Sequence, residues 1–293
     1  MQLVTVFLFV TLTFGWRVSA GLPTDCNCQL NVKSRIVKGK DSPVIPWQVS
    51  VQSGSHLCSG LILDDETVIS IRSCVAGHGP NELKIVTGIN RLDQANENNT
   101  YAVKSISFPV DAPDSTENLA VLKLKNQINL VKGKVEKACV RMYDSKYPKK
   151  LFFISQTFLV TGFGYTEPFE TDRDGNHKLL KPSNVLKQAE LTIDYKRTNE
   201  NELKIKPRNR VYAFFFGTSS SVCVYDEGSP LMLTENGRYY TVALSDDVPV
   251  SEIKKTQRFK VCDGNGSFIK FSATDSFLKT LDTSKMCLEY KEV

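Results

Sequence analysis

The 293-residue chain carries a formal net charge of +5, with 41% hydrophobic and 24% charged residues. That is an ordinary globular balance, too mild in charge to mark a nucleic-acid binder and too apolar for a disordered chain. Eight cysteines form an even set suited to four disulfides in an oxidising compartment.

The chain opens with an apolar stretch from Leu3 to Trp16, then Arg17 and the small-residue run Val18-Ser19-Ala20. This is the layout of a secretory leader cleaved after Ala20, so a secreted, extracellular protein is expected. No later segment approaches the roughly 20 apolar residues of a transmembrane helix, and no membrane role is expected. Residues 21–35 form a lead segment containing Cys26 and Cys28. Neither neighbouring histidines nor a second C-x-x-C accompany that pair, so no metal and no cofactor are expected.

From Trp47 onward, short runs rich in β-branched and aromatic residues recur between turn signals. They are Trp47 to Val51, Thr67 to Ile71, Leu83 to Val86, Tyr101 to Phe108, Leu119 to Leu124 and Phe158 to Phe163. The series continues with Ala189 to Ile193, Val211 to Phe216, Tyr239 to Leu244 and Ser267 to Phe271. Strands this short and this frequent predict an all-β antiparallel barrel or sandwich. Only Ser272 to Lys285 breaks the pattern: Phe277, Leu278 and Leu281 stand at helical spacing after capping Ser and Thr residues, which predicts a C-terminal α-helix. The main boundary falls near Ser34-Arg35, and a second, softer one around Asp144 to Lys150. The basic clusters Lys33 to Lys40, Lys146 to Lys150 and Lys254 to Lys260 lack an aromatic platform and read as solvated loops, so no nucleic-acid partner is expected. Sequons at Asn98 and Asn265 are the expected glycosylation sites.

Several motifs occur in a telling order. Arg35-Ile36-Val37-Lys38-Gly39 precedes Pro46-Trp47-Gln48-Val49-Ser50-Val51; Cys58-Ser59-Gly60 precedes Val68 to Cys74. Asn118 to Leu124, Leu159 to Gly164 and Cys223-Val224-Tyr225-Asp226-Glu227-Gly228-Ser229-Pro230 come next. In this order, over residues 35 to 281, the chain resembles the trypsin-like serine proteases. The resemblance implies two packed six-stranded antiparallel β-barrels with a C-terminal α-helix, spanning 36–293.

It also implies where the chemistry should be. Ser73 stands at the histidine position, Asn118 at the aspartate position and Glu227 at the serine position, so every triad member is replaced. A Ser73 hydroxyl has no basic nitrogen to accept a proton near neutral pH. Asn118 has no charge to stabilise an imidazolium, and an acyl-glutamate at Glu227 would be a labile anhydride, a poor route to amide cleavage. No catalytic residue is therefore expected. Tyr225 stands where a glycine lends its N–H to the oxyanion, and the tyrosine is expected to turn that donor away. The substrate-pairing strand corresponds to Ser245, Asp246 and Asp247, two acids facing the groove, and Ser221 occupies the specificity position. Of the three histidines, His56 matches a structural position, while His78 and His177 fall in a Gly-rich loop and a charged stretch.

Ile36 and Asp226 are retained. Either cleavage at Arg35-Ile36 frees an amine that pairs with Asp226, or the two residues are inherited packing without cleavage. The resemblance implies the disulfides Cys58–Cys74 and Cys223–Cys262. It gives Cys139 to Cys26 or Cys28, and leaves the other for Cys287.

The expected function is that of a secreted, monomeric, proteolytically inactive homologue that binds a protein or peptide as cofactor, decoy, or venom or saliva component. Homologues with degenerate triads of this kind occur in arthropod haemolymph, venoms and salivas. The rivals are a hydrolase of altered mechanism using Glu227, Ser73 and Tyr225, and an interaction protein that never uses the cleft. The expectation of inactivity rests on no imidazole nitrogen standing beside an open hydroxyl in the groove.

Overall fold

The computed structural model describes residues 22, 25–30, 40–109, 118–143, 156–166, 181–193, 210–214, 222–246, 265–271 and 281–291. The expected leader, the Arg35-Ile36 bond, Ser221, Asp247, Cys262 and His177 lie outside the described residues, as do residues 272–280 of the expected helix.

After a short β1 (Lys40–Asp41), six antiparallel strands close on themselves: β2 (Gln48–Ser53), β3 (Ser55–Ile62), β4 (Thr67–Ile71), β5 (Lys84–Thr87), β6 (Thr100–Ser107) and β7 (Leu119–Leu124). The closed order is β2-β3-β4-β7-β6-β5. Every residue of β4 is buried, because a closed barrel covers one face while the neighbouring sheet covers the other. Val49, Val51, Ile62, Val68, Ile85, Val103 and Leu122 fill one side of this wall. Close strand approach dictates Gly60 in β3, where a Cβ would stand 2.8 Å from the Ile69 carbonyl oxygen. One helical turn, α1 (Arg72–Val75), comes after β4.

The remaining strands share a second sheet. They are β8 (Cys139–Tyr143), β9 (Phe158–Gly162), β10 (Lys187–Ile193), β11 (Arg210–Phe214), β12 (Pro230–Glu235), β13 (Arg238–Ser245), β14 (Asn265–Lys270) and β15 (Cys287–Lys291). Their order is β12-β9-β10-β11-β14-β13-β8-β15, with β1 beside β10 and an additional β12–β13 pairing. That last pairing is a hairpin turned by Asn236 and Gly237, both at positive φ (52° and 74°), as a two-residue turn between right-twisted strands requires. Trp47, Leu61, Ile69, Ile71 and Leu119 from the first barrel meet Met142, Phe163, Met232, Leu244 and Phe271 from the second sheet in one buried cluster. Each such side chain contributes roughly 1.5–3 kcal/mol by leaving water.

Of the expected C-terminal helix, only residues 281–285 are described. Thr283–Lys285 is a 3-10 turn whose Ser284 N–H is capped by the Asp282 carboxylate, and the chain then runs as β15, parallel to β8. The helical spacing of Phe277, Leu278 and Leu281 does not extend to this final segment. There, Met286 and Cys287 are buried, and pairing with β8 together with the Cys26–Cys287 disulfide holds the chain extended.

The lead segment is anchored on this side of the molecule. Cys26 is bonded to Cys287 and Cys28 to Cys139, while Cys58–Cys74 closes the turn after β4. Tyr239 donates its N–H to the Cys28 carbonyl at 2.8 Å, Lys137 pairs with Asp25, and the Asn27 amide donates to Glu136. Under this strap lies Arg141, 2% exposed, whose guanidinium pairs with Glu235 and Glu289 and stacks 3.7 Å from the Tyr240 ring centroid. No helix among the described residues is long and apolar enough to cross a membrane.

Candidate functional site

The loop from Cys223 to Ser229 is held on both sides. Glu227 accepts the Ser59 N–H of β3 on its carbonyl at 2.8 Å, and Gly228 donates to the Ser245 carbonyl of β13 at 2.8 Å. Gly228 has φ +77° and packs directly on the Ser59 carbonyl, so a side chain there would overlap β3. The loop is therefore pressed into the junction between the first barrel and the second sheet.

Inside the loop, the Asp226 carboxylate accepts the Gly164 N–H at 2.7 Å and the Cys223 N–H at 2.9 Å. A Cβ on either Gly162 or Gly164 would collide with it, so those two glycines make room for the carboxylate. Burial pushes its pKa up to about 6, against the lowering effect of the two N–H donors. Cys223 is disulfide-bonded.

Tyr225 adopts φ +77°. The sequence leads one to expect that this residue turns its N–H away, but the backbone takes the left-handed conformation, and the N–H donates to the Glu227 side chain at 2.8 Å. A carboxylate two residues ahead is a short local acceptor, and its charge makes the bond stronger than a neutral one. The donor that the resemblance assigns to an oxyanion is thus occupied by the protein's own anion.

Ser73 and Asn118 meet at the ends of the neighbouring strands β4 and β7 of the first barrel. Ser73, exposed in the first turn of α1, donates its N–H to Asn118 Oδ1 at 2.8 Å, and Asn118 Nδ2 donates to Ser73 Oγ at 2.9 Å. The same amide nitrogen donates to Asp246 Oδ1 at 2.8 Å. Sequence reasoning sets Asp246 on the groove wall beside Asp247. The structure instead buries Asp246 completely, with its N–H donating to the Ser267 carbonyl and its carboxylate turned toward Asn118. Asp246 directly follows β13, whose residues from Tyr240 to Ser245 are all buried, and the buried run continues through position 246. Ser73, Asn118 and Glu227 therefore fall into two groups, Ser73 with Asn118, joined by Asp246, and Glu227 with Tyr225.

A ring nitrogen does stand beside a hydroxyl, but elsewhere. His56 Nδ1 lies 2.7 Å from Ser50 Oγ, and His56 Nε2 lies 3.1 Å from the Tyr225 carbonyl. That carbonyl can only accept, so Nε2 carries the proton and Nδ1 accepts from Ser50. The Gln52 amide donates to the same hydroxyl. His56 is 2% exposed and Ser50 is fully buried, and burial lowers the imidazole pKa to about 4. A substrate cannot reach this pair; it supports Tyr225 from behind. His78 sits apart, beside Glu82 at 3.9 Å.

Val222, the neighbour of Ser221, is buried against Gly266, where a Cβ would stand 2.5 Å from Val222 Cγ2 and 2.8 Å from the Phe268 ring. Asn98 is exposed in the loop before β6, and Asn265 begins β14. Among the described residues, no cluster of three or more His, Cys, Asp or Glu side chains is placed to hold a metal. The hold on Tyr225 from Glu227 and His56, and the inward turn of Asp246, are missed by sequence reasoning; only the Tyr225-x-Glu227 spacing hints at the first.

The Trypsin family model matches residues 36–245. The chain is 25% identical to coagulation factor XI of Bos taurus over 234 residues, covering 74% of this chain and 34% of that protein. It is 26% identical to trypsin theta of Drosophila melanogaster over 129 residues, covering 42% of this chain and 48% of that one. The chain thus spans less than half the length of either relative. With the ordered motifs, the closed barrel and a family match over most of its length, this chain belongs to the trypsin family.

Proposed function

We propose that this protein is a secreted, non-hydrolytic member of the trypsin family that acts by holding a protein or peptide in its cleft. One observation carries the reading: the Tyr225 N–H is bonded to the Glu227 carboxylate, the side chain at the nucleophile position. Two further features agree. Ser73 and Asn118 are engaged with each other, and His56, the imidazole that stands beside a hydroxyl among the described residues, is sealed from solvent. General-base activation needs an imidazole in reach of an open hydroxyl, and an acyl intermediate needs a vacant donor for its oxyanion. The three disulfides among the described residues support an extracellular setting. The circuit of pairings β12-β9-β10-β11-β14-β13, with β12 returning to β13, supports reading the second sheet as a second six-stranded barrel.

Activation by cleavage belongs to the same proposal. Asp226 is buried beside two glycines and takes its hydrogen bonds from the backbone N–H groups of Gly164 and Cys223. A new Ile36 amine produced by cleavage after Arg35 is the cation that would offset its burial. A glycan on the exposed Asn98 belongs to the same secreted reading.

Mature protein, before and after cleavage at Arg35, is assayed on peptide and ester substrates, and captured partners are compared between the wild type and Ser73→Trp, which fills the cleft from an exposed position. No turnover in either form, with partner capture lost in Ser73→Trp, is the expected result. Turnover that disappears in Glu227→Ala overturns the reading in favour of a hydrolase of altered mechanism. Capture unaffected by Ser73→Trp shows that binding does not use the cleft.

A further inference from the structure

The contact between Asn118 and Asp246 reaches beyond the three replaced positions. Asp246 lies at the end of β13 and is fully buried, while Asn118 leads into β7 of the first barrel. Asn118 is a two-sided group: its oxygen accepts the Ser73 N–H, and its nitrogen donates both to Ser73 Oγ and to Asp246 Oδ1. The orientation of the amide is set by these neighbours, because the Ser73 N–H can only donate and an ionised Asp246 can only accept. One side chain thus ties α1, β7 and β13 together across the junction of the two sheets.

We propose that Asp246 is a second block on proteolysis, independent of Glu227: its buried carboxylate requires an amide at position 118 and excludes the aspartate that triad chemistry needs there. This inference rests on the non-hydrolytic reading of the cleft and extends it to a residue outside the replaced triad. Two carboxylates at hydrogen-bonding distance cannot both ionise, so an aspartate at 118 would share a proton with Asp246 instead of carrying a charge toward an imidazole. The pair needs one amide and one carboxylate, in either order. Exchanging them keeps the bonds among the three residues: an aspartate at 118 would accept from the Ser73 N–H and from an asparagine amide at 246, with the Ser73 hydroxyl donating to the same carboxylate.

Three ionisable groups on the adjoining elements are held by contacts or burial of their own. Glu227 in the adjoining loop is engaged by the Tyr225 N–H, the Arg72 guanidinium of α1 lies over the Phe108 ring, and His56 of β3 is held neutral by burial.

The test measures Tm against pH for Asn118→Asp, Asp246→Asn and the exchanged double variant N118D/D246N in the full mature chain. Asn118→Asp is expected to lower Tm by roughly 5–10 °C at pH 8 and to recover as pH falls toward 4, where one carboxyl is protonated and can donate. The double variant is expected to return to within about 2 °C of the wild type at pH 8. An Asn118→Asp variant as stable as the wild type at pH 8, or a double variant no better than Asn118→Asp, overturns the proposal. A catalytic series separates this from the parent reading. In S73H/N118D/E227S, ester turnover is expected to stay at background and to rise at least tenfold when Asp246→Asn is added. Equal activity in both overturns the block at 246, whereas turnover by the wild type overturns the non-hydrolytic reading alone.

Discussion

In the loop from Cys223 to Ser229 and the strand end beside it, carboxylates are satisfied close at hand: Asp226 takes two backbone N–H groups, Glu227 takes one two residues away, and Asp246 takes an amide from the facing barrel. On the side where the lead segment is strapped, a buried charge is satisfied by residues far apart in sequence, since Arg141 of β8 reaches Glu235 of β12 and Glu289 of β15. The cleft turns its polar groups on one another, and the Tyr225 donor, where an anionic intermediate would form, is already taken. The strap uses its charge to join strands that the chain visits at widely separated times. The comparison teaches that carboxylates of the cleft loop are satisfied by short local donors, whereas the buried charge under the strap is satisfied by partners brought together only by the sheet.

The largest expected effect separates the two regions by stability. Arg141→Met takes from the partly exposed Glu235 and Glu289 the cation they share and is expected to cost about 3 kcal/mol in denaturant unfolding, because the stacking on Tyr240 is lost with the pairs while water solvates the glutamates only in part. Glu227→Ala, which removes a single local acceptor in the cleft, is expected to change stability by less than about 1 kcal/mol. If the two variants lose the same amount, the contrast between strap and cleft fails.

Next in size is a pH effect inside the cleft loop. The Asp226 pKa is raised from 3.8 to about 6 in the folded protein. A folded value above the unfolded one gives a stabilising contribution that is fully present below about pH 4 and is lost as pH rises through 6. Without a cationic partner, the protein is expected to lose on the order of 2–3 kcal/mol between pH 4 and 7 relative to Asp226→Asn. Cleavage after Arg35 is expected to flatten that slope if the Ile36 amine docks on the carboxylate. An unchanged slope in the cleaved protein rules the docking out.

The smallest effect sharpens the comparison at a single dihedral angle. Tyr225 holds φ +77°, where a side chain is strained and glycine is not. Tyr225→Gly is expected to stabilise folding by about 1 kcal/mol, measured by thermal unfolding, while leaving the cleft without turnover. Destabilisation would mean that the tyrosine ring contributes more to the loop than its backbone costs.

Much of the first barrel was legible because its strands are dense in β-branched residues: Thr67–Ile71 and Leu119–Leu124 form strands over the expected residues. Strand β3 was visible only as the Cys58-Ser59-Gly60 motif, since its serines, histidine and glycine carry weak strand preference and are held there by partners on both sides. Strand β15, with Glu289 and Lys291 alternating with Leu288 and Tyr290, is too short and charged to declare itself; pairing with β8 makes it a strand. The positions of Ser73, Asn118 and Glu227 could be read from motif order. The inward turn of Asp246 could not, because it depends on where β13 ends relative to a loop that is distant in sequence.

The bridge between Cys26 and Cys287 spans 261 residues. A pulling force applied at those two points is borne by a sulfur–sulfur bond before any ladder of hydrogen bonds can unzip. For extension in that direction, the molecule behaves as a sewn pouch whose drawstring has already been tied.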